Sequence, residues 1–356
     1  MSDLSNPTRR AVLKYGAASL AMMGAVAPRA AWADSQFTVG TLGGSWGDGI
    51  KKSFVPSLIQ SGTLAAEPSY LDAPYPAMIS RLLAQPDNPP FSTADFLDIE
   101  HYMAADAGVL QDLDLDIVTN YKDVFPTAHQ PERNGLKHWA SAMTVPFISI
   151  TYNTKLASAP TSWDDLWAAS LKGKIGVPDF GYYGLMWLHA INKHLGGDED
   201  NIDPAVEAIS DLFKKNGALL IKNQEQAIKA YSDETIVMMP YWNGRTFALQ
   251  ESGVPLAMAY VDASLQPHNG FIVPKGTGFA KEANHFVNAT LDGELQLNMT
   301  RIFRYPPSNR TVKLPPEMEH YAVPESALEK VVKLDWGKIH ASRSAALERW
   351  NREILG

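Results

Sequence analysis

Seven short apolar runs alternate with amphipathic stretches along most of this chain, and that alternation limits the folds open to it. The runs are Phe37–Leu42, Ala94–Ile99, Phe147–Tyr152, Lys174–Val177, Thr235–Met239, Leu256–Val261 and Gly270–Val273. Between them, Tyr75–Ala84 carries Met78, Ile79, Leu82 and Leu83 at helical spacing, and Ala205–Lys215 carries Val206, Ile209, Leu212 and Phe213. Pro74 and Pro204 stand at the openings of these stretches, where a missing N–H costs little. Strand and helix in alternation predict an α/β fold built on largely parallel sheets. After the last run, Pro324–Leu334 and Trp336–Leu355 read as two consecutive helices. The second bears Ile339, Ala346, Leu347, Trp350 and Ile354 as a packing stripe.

The first 33 residues stand apart from that pattern. Arg9 and Arg10 precede an apolar run from Tyr15 to Ala27, and Ala31 and Ala33 occupy the small positions of a cleavage site. The run is too short to span a bilayer, so the segment reads as a signal peptide of twin-arginine type, cleaved near Ala33. The mature chain is then expected in a bacterial periplasm. Because the leader holds Arg9, Arg10, Lys14 and Arg29 against Asp3, the remaining 323 residues carry 27 basic and 38 acidic groups, net −11. Such a balance argues against nucleic acid or an anionic membrane as partner. A chain of this size outgrows a single core and should divide into two lobes. It contains no cysteine, so thiolate chemistry and cysteine-ligated metals are excluded. No later stretch is long and apolar enough to suggest a membrane span, and a monomer is expected.

The first stretch that looks like chemistry is Thr41–Gly49, TLGGSWGDG. Gly43-Gly44-Ser45-Trp46-Gly47 fits the G-x-S-x-G pattern of a nucleophile elbow, between a strand-like and a helix-like run. In a hydrolase of that kind the elbow follows several strands, whereas here it follows the first strand of the mature chain. The alternative is a ligand loop: its glycines let backbone approach a solute at a helix N-terminus, with Trp46 as a flat apolar face. A periplasmic serine hydrolase using Ser45 therefore stands as an alternative function.

Metal and nucleotide patterns are weak. His189 and His194 are five apart, out of phase for a shared ligand on a helix. Asp98-Ile99-Glu100-His101 forms an acid–histidine cluster at an expected strand end, and solvated caps are the commoner use of such carboxylates. Neither a Walker A motif nor a full G-x-G-x-x-G is present, and no cofactor is expected. A richer cluster is Met238–Leu249. There an apolar strand ends and Tyr241, Trp242, Asn243, Gly244 and Arg245 open a helix, the composition a ligand crevice needs in an open α/β sheet. Arg245 is poorly placed for the helix dipole, which leaves an ion pair or a ligand acid group as its two readings.

Taken together, GGSWGDGIKKSFVPSL, VPFISITYNTKL, TSWDDLWAASLKGKIGVPD, YWNGR, NGFIVPKGT and YPPSNRTVKLPPEM occur in an order that resembles periplasmic solute-binding proteins of ABC importers, specifically the spermidine/putrescine-binding branch. The resemblance implies two α/β lobes of type II that close on a solute by a hinge and then dock on a membrane permease, with no reaction. The crossings would lie near Pro146–Tyr152 and His268–Val273. One lobe would comprise 34–148 with 270–310, the other 149–269 with 311–356. Carried over by position, the ligand residues would be Ser45, Trp46 and Asp48; Asp98, Glu100 and Tyr102; Asp179 with Tyr182 or Tyr183; and Trp242. Asn243 and Arg245 join them from the cluster above.

The chain departs from that branch before its return crossing. Polyamine binders carry a tryptophan and an aspartate there, a pair suited to clamping an ammonium. Here VDASLQPHNG is shorter and lacks the tryptophan; Asp262 comes early, and His268 and Asn269 occupy the place. The expected solute is therefore small, polar and amine-containing, polyamine-like or an amino acid derivative whose acid meets Arg245. An iron-binding relative using Tyr182 and Tyr183 is a further alternative within the same fold.

Overall fold

The computed structural model describes residues 36–356, so the expected leader and its cleavage site lie outside the described residues. The chain begins with β1 (Thr38–Thr41), α1 (Gly44–Gln60), β2 (Ser69–Asp72), α2 (Tyr75–Ala84), β3 (Thr93–Phe96) and α3 (Asp98–Asp106). After a long irregular stretch come β4 (Ile148–Asn153), β5 (Gly176–Pro178), α4 (Leu185–His194), α5 (Asp203–Lys214) and β6 (Leu219–Ile221). Then follow α6 (Gln224–Ser232), β7 (Met238–Trp242), α7 (Asn243–Glu251), β8 (Leu256–Ala259), β9 (Gly270–Ile272), α8 (Ala280–Thr290) and α9 (Gly293–Phe303). The single turn α10 (Glu325–Leu328) and the long α11 (Trp336–Arg349) close the chain.

The strands divide into two groups. The first sheet has the order β2-β1-β3-β9, with β1 parallel to both β2 and β3 and β9 antiparallel to β3. In the second group β4 lies between β7 and β8 and is antiparallel to both, while β5 and β6 pair in parallel. A parallel bridge from Ile175 to Met238 joins the two parts into one twisted surface. Strands reached through a helix run parallel, as short right-handed crossovers require. The two that pass between the sheets, β4 and β9, run against their neighbours because they arrive from the other half. The first sheet is thus mixed, while the second group combines an antiparallel three-stranded ladder with a parallel pair. All seven expected strands form, with bounds shifted by a few residues. β2 and β6 are additional, and their half-exposed sequences lack a continuous apolar run.

Packing explains both the helices and the one element that failed to form. In α2, Met78, Ile79 and Leu82 are buried against β3, as the spacing requires. Of the expected helix Pro324–Leu334 only α10 is helical. Beyond it the Val332 N–H donates to the Ser264 carbonyl at 2.9 Å and the Lys330 ammonium to the Tyr260 carbonyl at 2.8 Å. The chain there runs beside the return crossing, and those bonds replace helical ones. The closing helix α11 forms as expected, and its position is informative. It packs on α3 of the first half, and its last turn, Trp350–Leu355, packs on α5 of the second. Arg349 reaches Asp203 at 2.6 Å, Trp350 meets the Phe180 ring at 5.8 Å, and the Asp335 N–H donates to Glu199 at 3.0 Å. The tail therefore lies across both halves.

Candidate functional site

In open α/β sheets the crevice lies outside the carboxyl ends of the parallel strands. Those ends carry the expected residues here: the turn after β1 leads to Ser45 and Trp46, that after β3 to Asp98, and that after β5 to Asp179. β7 ends at Trp242, and α7 follows directly with Arg245 in its first turn. A row of rings joins the two sets. Trp46 lies 4.8 Å from Phe303 and 6.5 Å from Tyr305; Tyr305 lies 6.5 Å from Trp242; Trp242 lies 5.5 Å from Tyr183. Trp46 and Trp242 are both half-buried, so each keeps ring surface for contact. Trp242 also packs against both large core clusters, which puts it between the halves.

The glycine loop before Trp46 has a geometric reason. Gly43 and Gly44 adopt φ of 76° and 54°, a region favouring glycine, and the Gly43 N–H donates to Thr41 Oγ1 at 2.8 Å. One turn later, a Cβ on Gly49 would collide with the Phe303 ring. Gly49→Ala should therefore displace Phe303, destabilise the protein by about 1–3 kcal/mol as overpacking does, and disturb Trp46. Urea unfolding followed by tryptophan emission checks this; an unchanged midpoint would show that the ring has room to move.

Trp46 is held from below. Its indole Nε1 donates to Asp95 Oδ2 at 2.8 Å, the Tyr75 hydroxyl donates to the same oxygen at 2.7 Å, and Asn269 Nδ2 approaches both. Burial raises Asp95 to about 6, with these bonds pulling the other way. The other oxygen, Asp95 Oδ1, and Asn269 Oδ1 are buried without a partner among the described residues. Ser45 and Asp48 are exposed on the loop of Trp46, and no described hydrogen bond joins the Ser45 hydroxyl to a histidine.

Asp98 and His268 form the second polar centre. Asp98 Oδ1 accepts from His268 Nδ1 at 2.8 Å and from Gln130 Nε2 at 2.8 Å, while Oδ2 accepts the His268 backbone N–H at 2.8 Å. His268 Nε2 reaches the Thr127 carbonyl at 2.7 Å, so both ring nitrogens face acceptors, an arrangement that favours the imidazolium. Burial alone would raise Asp98, but the His268 charge and hydrogen bonds outweigh it and hold the carboxyl below its usual range. For His268 burial pulls down and Asp98 prevails, leaving the ring raised. In the acid–histidine cluster Asp98 is thus held by His268 and Gln130, and His101 Nε2 lies against the Gly270 carbonyl at 3.0 Å. Among the described residues no three His, Cys, Asp or Glu side chains converge as a metal site.

The remaining expected residues have varied placements. Glu100 is pushed up to about 7 by burial, an effect that its backbone and Arg343 partly offset. Tyr102 packs edge-on to Trp139 at 6.1 Å beneath Arg133, which bonds Asp106; it is spent on packing. Asp179 caps its turn by accepting the Gly181 N–H at 3.1 Å. Tyr182 donates to Gln224 at 2.7 Å and Tyr183 to the Pro240 carbonyl at 2.7 Å, so the two hydroxyls do not converge on a common point as an iron site would need. Asn243 is fully buried and ties the first crossing to α7, accepting the Phe147 N–H at 3.0 Å. Arg245 lies over the Phe303 ring at 5.8 Å. Burial raises the Tyr305 hydroxyl, and the neighbouring Arg245 charge works against that rise. Asp95, Tyr75, Phe303 and Tyr305 were missed in the sequence. Asp95 near the start of the apolar run Ala94–Ile99, three residues ahead of Asp98, was the available signal, because a buried carboxylate demands partners.

Comparison with known proteins agrees with this architecture. Residues 69–325 match the family model for bacterial extracellular solute-binding proteins. The chain is 24% identical over 218 residues to spermidine/putrescine-binding periplasmic protein 1 of Haemophilus influenzae, covering 59% of this chain and 60% of that protein. Among solved structures, an ABC transporter protein from Clostridium perfringens superposes with a TM-score of 0.76 at 18% identity, covering 90% of this chain and all of the other. The Atu4243 GABA receptor superposes with a TM-score of 0.71 at 19% identity, covering 89% of this chain and 96% of the other. Likeness at this level of identity shows the two-lobe type II fold and nothing finer.

Proposed function

Because this chain belongs to the bacterial extracellular solute-binding proteins, we propose that it captures a small amine-containing polar solute between its lobes and delivers it to an ABC permease in the inner membrane. The working compartment is the periplasm, reached through the twin-arginine leader. The lobes are 34–148 with 270–310 and 149–269 with 311–356, the closing helix of the latter leaning on the former. One observation carries the amine: Asp95, which accepts the Trp46 indole N–H through Oδ2, keeps its Oδ1 without a partner among the described residues, as Asn269 does its Oδ1. An ammonium there meets ring faces and acceptors together, which favours it once water is displaced. Trp242 and Tyr305 close the same space from the other side. Neither the relative's polyamines nor the structural neighbour's GABA is carried over as such; each is one member of the proposed class.

A thermal-shift screen of amines, amino acid derivatives and polyamines tests the reading. A true ligand at a hundred times its Kd raises stability by about 2.7 kcal/mol, and solution scattering should show compaction on binding. No shift across the screen, with a constant scattering profile, would sink it. Ser45→Ala separates the hydrolase alternative. The variant should keep the native stability to within about 0.5 kcal/mol, as exposed substitutions do, and should still bind solute. Ester turnover that disappears with this single change would revive the nucleophile.

A further inference from the structure

We propose that the solute also carries an acidic group, a carboxylate or a phosphate, and that Arg245 recognises it. This deepens the cleft reading above and rests on it. The geometry is that of a cation waiting for a partner. Arg133, Arg304, Arg349 and Arg352 form ion pairs, whereas Arg245 is in none of the described ion pairs; of the other described arginines without one, Arg81, Arg301 and Arg310 are exposed and Arg343 lies over Phe180. It is half-buried in the first turn of α7, with the Phe303 ring at 5.8 Å and the Tyr182, Tyr241 and Tyr305 hydroxyls close enough to feel its charge. Phenol hydroxyls are neutral and do not compensate a guanidinium removed from water. A planar acid does, through two parallel hydrogen bonds.

The carboxylates that a second ammonium would need are spent. Asp98 is paired with His268, Asp179 caps its own turn, and Glu100, half-buried, lies within reach of the Arg343 charge. A diamine bound with one end at Trp46 would therefore lay its other ammonium toward Arg245, cation against cation. An amino acid or aminophosphonate places opposite charges at those two ends. Phe303 links the ends physically, since the same ring touches Trp46 and underlies Arg245.

Isothermal titration with a matched series tests this: 4-aminobutyrate, 3-aminopropylphosphonate, and putrescine, which replaces the acid with a second amine at the same chain length. The acid-bearing probes should bind about tenfold tighter than putrescine or better. Arg245→Met should weaken them roughly 30-fold or more, as loss of one partner of a desolvated pair does, and Arg245→Lys should fall between. The melting temperature of each unliganded variant shows whether it is folded. The stronger of the two acid probes identifies the acid as carboxylate or phosphate. Putrescine binding tightest, with no effect of Arg245→Met, overturns the acid assignment and leaves the amine reading intact. Failure of both acid probes at millimolar concentration overturns it too, and failure of all three brings down the amine reading as well.

Discussion

Replacing Asp98 with alanine is expected to cost the folded protein about 3–5 kcal/mol, because it strands the His268 charge and the Gln130 amide in a buried site. The same pair imposes a pH profile. Asp98 is held below its usual range, so its contribution is present above the unfolded value near 4 and disappears as pH falls through the lower folded value. His268 is raised, so its contribution is complete below the unfolded value near 6.5 and disappears as pH climbs through the higher folded value. The pair is at full strength between about pH 4 and 6.5 and weakens on either side. Urea midpoints at three pH values, one inside the window and one beyond each edge, should describe a dome for the native protein and a flatter line for Asp98→Ala. Two parallel curves would mean that this pair does not set the profile.

The second large effect concerns binding. Trp242→Ala should weaken whichever probe saturates the native protein, 4-aminobutyrate or putrescine, by about 2 kcal/mol or more, roughly 30-fold. Trp242 touches Tyr183 on one side and Tyr305 on the other and packs against both core clusters. Its loss opens the wall at the point where the halves meet. Trp242→Phe keeps a ring and should recover much of the loss. Equal affinities for native protein and Trp242→Ala, measured by titration calorimetry, would place the solute elsewhere.

What was legible in the sequence, and what was not, follows from how local each feature is. The strand–helix alternation marked seven strands correctly because buried strands write themselves as apolar runs. β2 and β6 escaped because their side chains are half-exposed and leave no such run. Trp46 and Trp242 stood out in the sequence as aromatics beside glycines at expected strand ends, and both are half-buried there. Asp95 was hidden within an apolar run, and its importance depends on Tyr75, Trp46 and Asn269, which lie 20, 49 and 174 residues away in sequence. Asn243 and Tyr102 look like ligand residues by type and position. Only the tertiary contacts reveal that one ties a crossing strand to a helix and the other supports Trp139. The failed helix after Pro324 belongs to the same class, since its hydrogen bonds go to a segment some 70 residues earlier.

The tail laid across both halves has a mechanical consequence. In the hinge closure proposed above, the crossing strands are not the sole link between the halves. With α11 fixed to α3 at one end and continuing into a turn fixed to α5 at the other, the crossings and the tail form a closed linkage. Any change of angle must slide one anchorage or break contacts such as Arg349 with Asp203. That adds a restoring force in parallel with the hinge. The free energy separating the two postures, and hence the fraction of binding energy consumed in changing between them, is partly written in residues that touch neither solute nor hinge.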